Sequence, residues 1–88
     1  MKIKQGFILK EIADTFVVVP VGENMVDFSL MITINETGAF LWKCLETDKT
    51  REELADDLMS EYEGATREEM LEDIDGFVAL LKENNILE

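Results

Sequence analysis

Histidine is absent from the 88 residues. Its absence removes the commonest general base, the Ser/His and Cys/His nucleophile pairs, and imidazole metal ligands together. A single cysteine cannot close an internal disulfide, which points to a cytoplasmic protein. Cations are scarce: 8 Lys and Arg stand against 20 Asp and Glu, a net charge of −12. No apolar run approaches the roughly 20 residues that span a bilayer, and Met1 to Gly6 lead into an alternating segment rather than a signal peptide's apolar stretch. What is present fits a folded chain, with 47% apolar and 32% charged residues. At this length the expectation is one domain over residues 1–88 with a single two-layer core. Composition favours a binding module over an enzyme, with no catalytic residue, metal or cofactor required.

The charge is unevenly placed. Residues 1–45 hold four lysines against five acids, whereas residues 46–88 hold four cations against 15 acids. Over a screening length of about 8 Å at physiological salt, the acidic half repels both nucleic acid and anionic membrane. A partner carrying Lys or Arg, or an apolar one, stays open.

The first third alternates and is β-branched. Phe7–Ile12 predicts a strand, Ala13-Asp14 a tight turn, and Thr15–Val21 a second strand. Pro20 cannot donate to a ladder, so it is expected at a strand end or an edge. Gly22–Asn24 reads as a turn, Met25–Phe28 as extended, and Leu30–Ile34 as the last strand, with a bulge near Ser29 deciding between three strands and four.

The period then lengthens. Asn35 is a good N-cap, and Phe40, Leu41, Cys44 and Leu45 form a helical stripe, with Gly38 placed to let another element approach. Thr50 and Thr66 each open a capping box. The stripes that follow are Leu54, Ala55, Leu58, Met59 and Tyr62, then Met70, Ile74, Phe77, Val78 and Leu81. Asn84-Asn85 ends the last helix, and Ile86-Leu87 is expected to fold back onto the core. The order predicts a winged-helix-like α+β domain: an N-terminal antiparallel sheet followed by three helices.

Chemical motifs are weak. Cys44 has no histidine to activate it and reads as a structural thiol. Asp73-Ile74-Asp75-Gly76 resembles a calcium loop, but Lys82 stands where the closing glutamate is required. Asp27-Phe28-Ser29-Leu30 differs from a carrier protein's Asp-Ser-Leu by the intervening Phe28. The fold suggests a DNA reader, yet residues 67–84 carry two cations against six acids.

One feature points to a ligand. Leu30–Ile34 carries no charge, and an uncharged edge strand accepts an extended peptide as a further strand. The residues alone leave two readings standing: an edge open to a partner, or one covered by the domain itself. An acidic dimerisation or anti-repressor-like module, pairing this edge with a second copy of itself, is the alternative function.

The stretch Met31-Ile32-Thr33-Ile34-Asn35-Glu36-Thr37-Gly38-Ala39-Phe40-Leu41-Trp42 resembles the Leu-Asn-Glu-Thr-Gly-Ala-Phe-Leu-Trp signature of the PqqD-like family, with Ile34 in place of Leu. Thr50 to Leu54, Tyr62, and the Asn84 to Leu87 tail extend the resemblance over residues 7–88; the Val21–Ser29 loop looks longer than in the pyrroloquinoline quinone biosynthesis chaperones. The resemblance implies a RiPP recognition element, a non-catalytic reader of precursor leader peptides. Such a domain captures the leader between third strand and third helix and presents it to a peptide-modifying enzyme, often a radical SAM maturase. By position it places the strand side at Leu30, Met31, Ile32 and Thr33, and the helix side at Met70, Asp73, Ile74, Phe77 and Leu81. Strand alternation adds Val26 and Phe28.

Overall fold

Ala13 and Asp14 both take the left-handed conformation, at φ 50° and 66°, as a two-residue type I′ hairpin requires. They join β1 (Phe7–Ile12) to β2 (Thr15–Gly22), with Ile12 opposite Thr15 and Phe7 opposite Pro20. The computed structural model describes residues 1–22 and 31–88, together with the backbone of Met25 and Val26. An L-residue at Ala13 costs about 1 kcal/mol in this conformation. Replacing the pair by Asn-Gly (Ala13→Asn with Asp14→Gly) should therefore raise stability by roughly 1 kcal/mol. The check is a higher urea midpoint at unchanged m-value; an unmoved midpoint would mean that the turn holds no strain.

The other side of β2 carries two short segments, β3 (Met25–Val26) and β4 (Ile32–Ile34). Gly22 faces Met25 and Val21 faces Val26, then Val18 faces Ile32 and Phe16 faces Ile34. Between these two sets of pairs β2 has two residues, Val19 and Pro20, and the chain from Val26 to Ile32 has five. The sheet has three strand positions with β2 in the centre, and three helices follow it, an α+β fold.

Pro20 sits inside the central strand, not at the end or edge that was expected. The Val21 N–H donates to the Gly6 carbonyl at 2.7 Å, so Val21 faces β1. By alternation the Pro20 nitrogen faces the opposite side, between the parts of β2 that pair with β3 and with β4. The missing N–H therefore costs the β1 ladder no rung.

Asn35 caps α1 (Glu36–Cys44), accepting from the Gly38 N–H at 2.7 Å. Thr50 makes the complete capping box of α2 (Arg51–Glu61), at 3.1 and 3.0 Å. Thr66 opens α3 (Arg67–Glu83) with half of one: it accepts from the Glu69 N–H at 3.2 Å, while its hydroxyl donates to the Glu69 carboxylate at 3.3 Å. The inward face of α1 is Gly38, Ala39, Leu41 and Trp42, continued by Leu45. Phe40 and Cys44, expected inside, are half-buried, and Met59 of α2 is 44% exposed because Leu54, Ala55 and Leu58 already complete that contact. Each fully buried large side chain, such as Trp42, Leu58, Ile74 and Leu81, contributes about 1.5–3 kcal/mol of apolar burial.

The end of α3 is a Schellman motif. Asn85 is left-handed at φ 58°, the Ile86 N–H donates to Leu81 and the Asn85 N–H to Lys82. This turn returns Ile86 and Leu87 to the core as expected, at 0% and 8% exposure. Leu87 then bridges Ile3, and the Lys4 N–H donates to the Ile86 carbonyl at 2.7 Å. Both chain ends are tied into one cluster.

Candidate site at the β4 edge

The ladder phase fixes which backbone groups of β4 are free. Val21 faces β1, so Val18 and Phe16 face β4 and pair with Ile32 and Ile34. Thr33 therefore turns its N–H and C=O away from β2. Among the described residues nothing pairs with that edge, and the side chain of Thr33 is exposed.

A groove of about 390 Å³ opens beside it, between β4, the start of α1 and one face of α3. From the strand and α1 come Thr33, Ile34, Thr37, Gly38 and Leu41; from α3 come Glu72, Asp73, Gly76, Phe77 and Leu80. Gly38 lets the floor form. A Cβ there would lie 3.2 Å from Ile34 Cβ and 3.3 Å from a Phe77 ring carbon, tighter than ordinary packing. Gly76 has the opposite character: a Cβ there would meet nothing within 4 Å, because it would project into open space.

Acidity concentrates on one wall. Asp75 is held by a fork from Arg51 at 2.7 and 2.8 Å, and the Arg51 guanidinium keeps its carboxyl below the usual range. Asp56 takes Arg67 at 2.7 Å. These pairs clamp α2 to α3, whereas Glu72 and Asp73 have no cation against them among the described residues. The wall they form attracts a cationic side chain.

The predicted residues whose side chains are described divide into three groups. Thr33, Asp73 and Phe77 line the groove. Met31 and Ile32 lie at a neighbouring depression of about 350 Å³ with Phe7, Pro20, Asn84 and Ile86. Met70, Ile74 and Leu81 are turned into the core at 4%, 0% and 1% exposure and offer the groove nothing. Phe28 and Leu30 lie outside the described residues, as does the side chain of Val26 and the bulge expected near Ser29. Glu72, Gly76 and Leu80, on the helix face next to the core stripe, were missed. Their signal was a second helical repeat, 72, 73, 76, 77, 80, mixing acids, glycine and leucine.

Other candidate chemistry is weak. The half-buried Cys44 thiol is pushed up by burial and by the Asp57 carboxylate, away from nucleophilic character. The Asp73–Gly76 stretch is continuous helix, and among the described residues no three His, Cys, Asp or Glu side chains group to hold a metal. No helix among the described residues is long and apolar enough to cross a membrane.

Residues 15–87 match the family model described as coenzyme PQQ synthesis protein D (PqqD). No curated protein matches the chain. Among solved structures, TbiB1 in complex with the TbiA(beta) leader peptide is similar over 100% of this chain and 95% of that one, at 25% identity and a TM-score of 0.74.

Proposed function

The chain belongs to the PqqD family, and from that premise we propose that it is a non-catalytic leader-peptide reader. The leader of a ribosomally made precursor adds to β4 as a further strand and is delivered to a peptide-modifying enzyme such as a radical SAM maturase. The observation that carries this reading is the outward-facing Thr33 backbone, unpaired among the described residues, beside a groove floored by Leu41 and Phe77. Main-chain bonds at Thr33 set the register, Met31 and Ile32 extend the contact surface, and Phe77 and Leu80 receive an apolar side chain. The likeness to a TbiB1–leader complex supports the same assignment. Holding the substrate beside the enzyme raises its effective concentration, so the module needs no chemistry of its own.

The test is fluorescence anisotropy with a labelled synthetic leader from a short precursor reading frame next to this one. Saturable binding by the leader, and none by the precursor's core segment alone, is expected. Equal binding by both segments would remove the assignment. Reversing the acidic wall with Glu72→Lys/Asp73→Lys should weaken a leader bearing Lys or Arg by about tenfold at low salt, with the loss shrinking as salt is added. The ionic-strength series checks this, and a loss independent of salt would show that the wall acts by shape.

A further inference from the structure

A second cleft lies against β1, at the opposite edge of the sheet from β4. It measures about 510 Å³, with Trp42 and Leu9 among its apolar lining and Lys2, Lys4 and Lys43 around it against the single acid Glu46. Of the four cations in residues 46–88, three are already engaged, Lys49 with Asp57 at 3.0 Å, Arg51 with Asp75, and Arg67 with Asp56, while Lys82 stands at the far end of α3. Lys4 donates to the neutral amide oxygen of Asn85 at 2.6 Å, which leaves its charge uncompensated. Among the described residues neither Lys2 nor Lys43 is in an ion pair; the Asp48 carboxylate, already paired with the N-terminal ammonium at 2.8 Å, is the acid that feels the charge of Lys2. In a chain of net charge −12, three of the eight cations thus converge on one apolar cleft.

The backbone adds a second observation. Ile8 pairs with Val19 and Lys10 with Val17, facing β2, so Phe7 and Leu9 turn their N–H and C=O outward along the cleft. Among the described residues nothing pairs with them. The cleft therefore offers strand rungs, an apolar floor and a cationic rim together.

We propose that this cleft docks an acidic, leucine-bearing segment of a second protein, separately from whatever occupies the β4 groove. Charge decides the class of occupant. A nucleic acid long enough to bind would run beyond the cleft into the field of the acidic helices, whereas a short peptide segment meets only the lysines. The two sheet edges then take opposite partners, β4 a cationic peptide and β1 an anionic one.

The probe is a capped synthetic Glu-Leu-Glu-Leu-Glu-Leu peptide, titrated into the full chain at low salt. Backbone amide shifts and the fluorescence of Trp42, the single tryptophan, are the readouts. Amides of residues 2–9 and 42–46 should move while those of Thr33 and Gly76 stay still. Lys2→Glu/Lys43→Glu, two exposed positions, should weaken binding about tenfold with an unchanged amide spectrum of the free protein. No shifts in residues 2–9, equal binding by the reversed variant, or equal binding by a Lys-Leu-Lys-Leu-Lys-Leu peptide would overturn the proposal. So would the same shifts with inorganic phosphate alone, which would make the cleft a small-anion site. None of these outcomes touches the β4 groove, whose leader titration stands by itself.

Discussion

Thr33→Pro is expected to abolish binding of a leader peptide while the sheet stays folded. The reason is ladder phase. Ile32 and Ile34 spend their backbone groups on β2, but Thr33 points its N–H outward, so proline there removes a donor that no described residue uses. The neighbouring Ile32→Pro would delete a rung to Val18 and damage the sheet itself. Loss of one central main-chain bond and the steric bulk of the ring should reduce affinity by at least about tenfold. Far-ultraviolet dichroism and urea melts establish folding, and anisotropy establishes binding. A folded Thr33→Pro chain with undiminished affinity would mean that the peptide does not add at this edge.

Gly76→Leu is the companion variant on the helix side, and its two effects have opposite signs. Glycine inside a helix costs about 1 kcal/mol relative to good helix formers. The added side chain meets nothing within 4 Å at its Cβ, so the protein should become more stable by roughly that amount. The same side chain fills the space in which Glu72, Phe77 and Leu80 converge and excludes the peptide. Binding should fall more than about tenfold, against 1.4 kcal/mol per decade, while the urea midpoint rises. Few substitutions separate occupancy from stability so cleanly. Retained affinity would place the ligand elsewhere.

The order of elements was readable because each announces itself locally. Alternation and β-branching marked β1 and β2, and Asn35, Thr50 and Thr66 marked the helix starts. Asn85 and the apolar pair after it foretold the folded-back tail. Pro20 misled, since proline's ban from central strands holds only for the side its nitrogen faces, and that side depends on register. The helix half of the groove misled for a related reason. The strongest apolar stripe of α3, Met70, Ile74 and Leu81, is strong because it is core. The groove-lining residues are a weaker, mixed-character row one step around the helix, and only Phe77 serves both. Trp42 lay outside the expected α1 stripe because that helix is packed on more of its circumference than an amphipathic pattern conveys. The pairing of residues 2–4 with 86–88 joins opposite ends of the chain, and no local pattern encodes it.

Hydrogen exchange at single amides tests strand addition most directly. In the free protein, Ile32 and Ile34 should already be protected by β2 and Thr33 should exchange fast. Saturation with the synthetic leader should slow Thr33 selectively, because its N–H gains a partner while its neighbours gain little. A Thr33 amide that exchanges equally fast in a saturated complex would contradict the account.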